Sequence, residues 1–277
     1  MSAKHLRSRR AVRGALGALV TLTAVYLVLP VFVVVPASFS DSSFLEFPPE
    51  HWSMRWYEEF FSDETWTSSA VASLRIGVVV TLLSVVLGTA GALAMIRGRY
   101  PLRNAITGLL LAPILVPYVI TGLGVYALAL DLGLTQTTTG FVLVHTSLAV
   151  PYVVITVSSA LSSFDRQLEL AAMNLGAGPV STFARITLPL ILPSVLSGAL
   201  FSFATSFDEV VTSVFLSGPD MTTLPVQMWS GVRVRLDPTV AAASSMLLLI
   251  TLSLFAAAGL GRLTRRLRRA QRGGSDG

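Results

Sequence analysis

Apolar and polar positions along this chain of 277 residues separate into long greasy blocks joined by short polar links. The blocks cover residues 14–36, 76–96, 104–130, 140–161, 188 to about 216, and 240–261. An α-helix rising about 1.5 Å per residue needs roughly 20 apolar residues to cross about 30 Å of hydrocarbon. Each block meets that length, so the pattern predicts an all-α, polytopic membrane protein with six transmembrane helices over residues 14–261. The fifth block is interrupted by Asp208 and Glu209, which leaves its far boundary open.

The first block has a basic lead, as a secretory signal does, but its apolar run exceeds the roughly 7–15 residues of a signal core, and Pro36-Ala37-Ser38 is a poor cleavage site. It reads as a retained first helix. The link at 37–69 contains SMRWYEEFFSDETW, which predicts a short interfacial helix with Ser53 as N-cap. Trp56/Phe60 and Tyr57/Phe61 fall at i,i+4 there. Such aromatics serve either as a membrane belt or as a surface for an outside partner. Pro113, Pro117 and Pro151 fall within the third and fourth blocks, where they can bend a helix. Gly88, Gly91, Gly122 and Gly124 permit close helix packing.

Charge fixes the expected orientation. Only 13% of residues are charged, against about 25% in soluble domains. With six spans both termini share a side, and that side holds sixteen of the twenty Lys and Arg residues. They are the lead at 1–13, Arg97, Arg99, Arg103, Arg166, Arg185 and the tail at 262–277. Arg55, Arg75, Arg233 and Arg235 remain opposite. Positive residues stay inside, so both termini are expected in the cytoplasm, with the basic tail drawn to anionic lipid rather than to nucleic acid. Cysteine is absent, which excludes disulfides and thiolate metal sites; no metal site is expected. Lys4 is the only lysine. A phosphate-binding loop needs Gly-Lys-Ser/Thr, so no P-loop ATPase is expected in this chain.

The cytoplasmic link at 162–187 carries the most informative pattern. Leu168, Ala171, Ala172 and Leu175 make an apolar stripe at i, i+3, i+4, i+7. Asp165 stands near the start of that helix, where the dipole favours an acid, and Gly176 stands where a C-cap glycine belongs. Gly178-Pro179 then opens a second helix with Phe183 and Ile186 toward one face. The stripe is too small to fold alone. It packs either on the ends of its own bundle or into a groove of a soluble partner.

Ala171-Ala172, Gly176, Ile186 and Leu188-Pro189 sit at the spacing of the Glu-Ala-Ala coupling loop of bacterial ABC importer permeases, which this segment resembles. Leu170 occupies that pattern's glutamate position, and the nearest acid, Glu169, is one residue earlier, a shift of about 100° on a helix. The stretches at 206–229 and 236–249, with WSMRWYEEFF and ASLRIG, resemble spermidine/putrescine-type permeases, the second subunit of the pair. The resemblance implies a MetI-like type I permease fold in a bacterial inner membrane. It also implies a second permease subunit, two ATP-binding subunits that hold ATP and Mg, and an extracytoplasmic solute-binding protein. Glu169, Ala171, Ala172, Leu175, Gly176, Ala177, Ile186, Leu188 and Pro189 become the expected ATPase-coupling residues. Other solutes, such as iron or an opine-like compound, stay open, as do an ion-coupled secondary carrier and a membrane scaffold.

Asp208 and Glu209 are the sharpest polar feature inside a block. A carboxylate at bilayer depth costs about 2.5–3.5 kcal/mol on insertion scales. Such a group either lines a path for a cationic solute or forms a helix-end pair bonded to Ser206, Thr212 or a neighbouring chain. Tyr118, Tyr126 and His145 are further candidates for the path, or are satisfied by neighbouring helices. In the outside loop at 217–238, Pro225, Trp229, Arg233 and Arg235 are candidates for a gate or a docking surface for the binding protein; the other reading is a loop resting on the membrane.

Overall fold

The computed structural model describes the backbone of residues 3–44, 46–98, 100–235 and 237–273, and the side chains of 14–44, 46–98, 100–234, 237–257 and 259. Twelve α-helices and two short π-helical segments make up the regular structure among these residues. They are α1 (Ala3–Ala37), α2 (Arg55–Ser62), α3 (Glu64–Arg97), α4 (Arg103–Leu115), α5 (Tyr118–Asp131), α6 (Thr138–Ser162), α7 (Gln167–Asn174), α8 (Pro179–Thr182), α9 (Leu188–Phe207), α10 (Val211–Leu216), α11 (Leu224–Ser230) and α12 (Thr239–Gly273). The π segments are Phe183–Thr187 and Gly231–Arg235. Two compact units divide the chain, residues 1–63 with 231–248 and residues 64–230 with 249–277.

The first unit contains α1, whose apolar side chains from Leu16 to Leu29 are exposed, as expected of a helix made for lipid or for another subunit. The expected interfacial helix is present as α2. Ser53 does not cap it by the usual geometry: Met54 holds the N-cap position, and the Ser53 hydroxyl accepts from the Arg55 N–H at 3.1 Å. Of the aromatic pairs, Trp56 and Phe60 are buried while Phe61 is exposed. Phe39 packs on Tyr57, ring centroids 5.1 Å apart, and the Tyr57 hydroxyl meets the Ser38 hydroxyl at 2.8 Å. The basic clusters at 1–13 and 262–277 lie outside the described side chains.

The second unit is built on α6, packed between α3 and α9. Of the most apolar window of α6, 72% is buried, against 28% for α3 and for the span that ends in α9. Phe141, Leu148 and Ala149 join Ile76 and Val80 of α3 in one cluster; Val153, Val157 and Leu161 join Ala92 of α3 and Ile191 of α9 in another. Lipid tails are as apolar as leucine, so helices associate in a bilayer by van der Waals contact, and small residues set how near they come. Gly88 of α3 and Gly198 of α9 both press on Val153. A Cβ at Gly88 would stand 2.6 Å from the Val153 Cβ, and one at Gly198 would stand 3.0 Å from its Cα. Gly124, expected to share this role, faces open space.

Three expected spans need correction. The third, 104–130, is not one straight helix but α4 and α5, bent by 106°. Pro117 disfavours helical backbone at the residue before it, and Val116 is extended at φ −86°, ψ 131°. The fifth stops at Phe207 and begins early, since α8, the π segment Phe183–Thr187 and α9 form one apolar run, Pro179–Phe207. The second begins at Glu64, inside what was expected to be loop at 37–69. Among the described residues five helices are long and apolar enough to cross a membrane, or six with the bent pair counted as one span.

The meeting of α3, α6 and α9 at Val153 generates a prediction. Gly88→Val forces two side chains into one volume and should destabilise the purified protein by about 1–3 kcal/mol, read as a lowered melting temperature in detergent. Gly124→Val should melt with the native chain.

Candidate functional site

The segment after α6 begins with a tight turn in which the Asp165 carboxylate accepts from the Gln167 N–H at 2.9 Å. Helix α7 follows for eight residues and ends at Leu175. Its terminus is a Schellman closure. The Ala177 N–H donates to the Ala172 carbonyl at 3.0 Å, the Gly176 N–H to the Met173 carbonyl at 2.9 Å, and Gly176 has φ +89°. Pro179 then opens α8 in the first helical turn, where its missing N–H costs nothing. Both glycine and proline sit where the sequence places them.

The predicted stripe on α7 does not pack on the bundle. Leu175 is 90% exposed and Leu168 48%; Ala171 is also exposed, and Ala172 is half-buried at the edge. The one buried residue of α7 is Glu169. It forms an ion pair with Arg97, the last residue of α3, at 2.7 Å, and accepts a hydrogen bond from the Thr187 hydroxyl. The Arg97 guanidinium also lies over the Phe164 ring, 5.6 Å from its centroid. Beyond α7, Phe183 and Leu188 are packed into the α3–α6–α9 cluster. Ala177 and Ile186 are half-buried, and Pro189 is exposed.

At the other end of α9 the two adjacent acids part. Glu209 is buried and stands just before Val210, the N-cap of α10, with its carboxylate turned onto the first turn of that helix. Its carboxylate accepts from the Thr212 N–H at 3.0 Å, the Thr212 hydroxyl at 2.7 Å, the Ser213 N–H at 2.9 Å and the Ser213 hydroxyl at 3.1 Å. Behind it His145 is almost fully enclosed, its Nδ1 bonded to Ser206 and its Nε2 to Ser213, both at 2.9 Å. Glu209 and His145 therefore serve as internal fasteners of α6, α9 and α10 and do not stand open on a path. Asp208 is exposed, and its carboxylate accepts no hydrogen bond from a described residue. Tyr118 is half-buried beside the α3–α6 cluster; Tyr126 is 38% exposed, 6.3 Å from Phe215 between ring centroids. Pro225 is buried in α11, whose first N–H, that of Leu224, donates to Ser73 of α3 at 2.8 Å. Trp229 and Arg233 are exposed, and neither is without an interaction partner. The Arg235 side chain lies outside the described residues.

Residues 82–269 match the sequence profile of the family described as "Binding-protein-dependent transport system inner membrane component". This chain belongs to that family. It is a multi-pass inner-membrane transport subunit, not an enzyme. It is 35% identical over 230 residues to the putrescine transport system permease protein PotI of Escherichia coli K12, covering 80% of this chain and 82% of that one. It is 32% identical to the spermidine/putrescine transport system permease protein PotC of Haemophilus influenzae, covering 83% and 89%. Among solved structures, a bacterial ABC transporter that imports alginate matches with TM-score 0.70 at 15% identity over 91% of this chain and 97% of that one. The methionine transporter MetNI matches with TM-score 0.59 at 17% identity, over 74% and 98%. Those two likenesses establish the permease fold and nothing about solute.

Within this permease, sequence reasoning missed Arg97 and Thr187 as partners of Glu169, and Ser213 as a partner of both Glu209 and His145. Arg97 was read only as a topology charge. The available signal was the acid one place away from its pattern position, since a 100° shift turns it to another face.

Gly176→Ala adds a Cβ with nothing within 4 Å, so its cost is backbone strain alone, roughly 1–2 kcal/mol for a left-handed alanine. That is a factor of about 5–30 in the opening equilibrium. Hydrogen exchange across 167–178 in the purified permease should accelerate by that factor while α6 exchanges as before.

Proposed function

We propose that this permease and a second permease subunit together form the path of a binding-protein-dependent ABC importer for polyamines of the putrescine and spermidine type. Helix α7 is its docking element for an ATP-binding subunit. The observation that carries the docking reading is that α7 is rigidly capped yet turns Leu168, Ala171 and Leu175 away from its own bundle. Full burial of one leucine is worth about 1.5–3 kcal/mol, so a partner groove has much to gain there. ATP and Mg would be held by the two ATP-binding subunits, since this chain has no Gly-Lys-Ser/Thr loop. The α7 end of the bundle and both termini face the cytoplasm, supported by the placement of the arginines.

The solute class is supported by the relatives' names and by one side chain. Asp208 is an open carboxylate at the end of an apolar helix, and a dication is the complement of such a group. The segment of α11 around Pro225 and Trp229 would meet the solute-binding protein, and Arg233 is a separate candidate for such a contact. The work done in this chain is conformational: binding of ATP favours the closed ATPase dimer, and that differential affinity drives the change.

Two measurements test the reading. The chain has no cysteine of its own, so Leu175→Cys gives a single labelling site. With a bifunctional reagent it should join this permease to its ATP-binding subunit; no such product would refute the docking. Asp208→Asn should lower putrescine uptake about tenfold, as loss of about 1.4 kcal/mol of attraction would, while the complex still assembles. Native uptake by that variant would remove Asp208 from the path.

A further inference from the structure

A single carboxylate at the α7 end of the bundle ties α7 to α3 and to the π segment that leads into α9, elements that already pack on one another around α6. Glu169 belongs to α7, Arg97 ends α3, and Thr187 closes the π segment that leads into α9. Phe164, beneath the Arg97 guanidinium, lies in the link between α6 and α7. Among the described residues α7 buries no other side chain of its own, and its leucines face outward. Apolar packing therefore does not fasten α7 to α3. The covalent route from α7 to α9 passes through Gly176 and Gly178, two residues without a Cβ to stiffen them.

We propose that Glu169, Arg97 and Thr187 form a positioning clasp that makes α7 move as one piece with α3 and α9. This inference rests on the docking reading above. A load applied to α7 by a partner reaches the spans only if something resists the swivel that the glycines permit. Charge-assisted hydrogen bonds are short and directional, and one oxygen of the Glu169 carboxylate, Oε1, meets both the Arg97 guanidinium and the Thr187 hydroxyl. The exposed leucines then grip the partner while the buried acid grips the bundle. Each task falls to a separate face of the same eight-residue helix.

The test uses the assembled complex carrying spin labels at Met95→Cys, near the end of α3, and at Leu175→Cys. Distances are measured without nucleotide and with a non-hydrolysable ATP analogue. With the native clasp one narrow distance should persist in both states. Glu169→Ala should broaden it, or shift it between states, and lower putrescine uptake per ATP hydrolysed about tenfold, within the usual span of coupling effects. Glu169→Asp, which keeps the charge, should recover most of the narrow distribution. Should Glu169→Ala fail to assemble, Thr187→Val removes one donor at nearly constant shape and should broaden the distance to a smaller degree. Native distributions in the variant that assembles, in both nucleotide states, overturn the clasp. If they do so while Leu175→Cys still cross-links to the ATP-binding subunit, the clasp alone fails; if the cross-link itself is missing, the docking reading fails first.

Discussion

In hydrocarbon an unpaired backbone N–H or carbonyl has no water to turn to, and each such group costs several kcal/mol. A helix that ends or bends within a membrane protein must supply replacements at once, and the breaks in this chain follow that constraint. At Pro117 the chain bends where there is no N–H to lose, and the Ile120 and Thr121 N–H groups return to the Pro117 carbonyl at 2.9 and 3.1 Å. At residues 183–187 the turn widens to a π-helix and the ladder continues. At the α9–α10 break, the Glu209 carboxylate accepts from the first free N–H groups of α10, and the two ring nitrogens of His145 pair with the hydroxyls of Ser206 and Ser213. Glu209 and His145 are thus committed to shape, which is why an open acid such as Asp208 is conspicuous beside them.

The same scarcity of driving forces governs the packing. With no water to expel between helices, contact area has to come from close approach, and Gly88 of α3 and Gly198 of α9 both provide it at Val153. Close packing of this kind is stiff and transmits strain. Stiffness in the spans is useful only if the element that receives the load is fastened to them. That joins the geometry at Val153 to the geometry at Glu169.

How much of this was legible beforehand follows from the range of each signal. Span positions, the interfacial helix, the C-cap at Gly176 and the proline start of α8 are local: each is set by residues within one or two turns. The 106° bend was half legible, because Pro117 marked the place but no local rule set the angle. The early start of α3 was hidden because 64–75 carries Glu64, Arg75 and a run of hydroxyls that a search for apolar runs discards. The partners of Glu169 and Glu209 were not legible as pairs. Arg97 and Glu169 are 72 positions apart, and periodicity within a segment says nothing about which helix end will lie beside which. For Asp208 and Glu209 the sequence offered two roles and could not divide them, because the division depends on where α9 stops.

The displaced acid of the coupling segment carries the last step. On a helix, moving a glutamate by one position does not weaken its contact; it changes what the contact is with. In this permease Glu169 points into the bundle and Leu170 takes an outward place, 39% exposed. Under the proposed docking, the face offered to the ATP-binding subunit is then leucine, alanine and methionine, with no acid among residues 168–175 except the buried one. Apolar attraction is non-directional, so it can hold α7 in a groove but cannot set its angle. The angle has to be set from behind, by the Schellman closure and by the carboxylate that was turned inward.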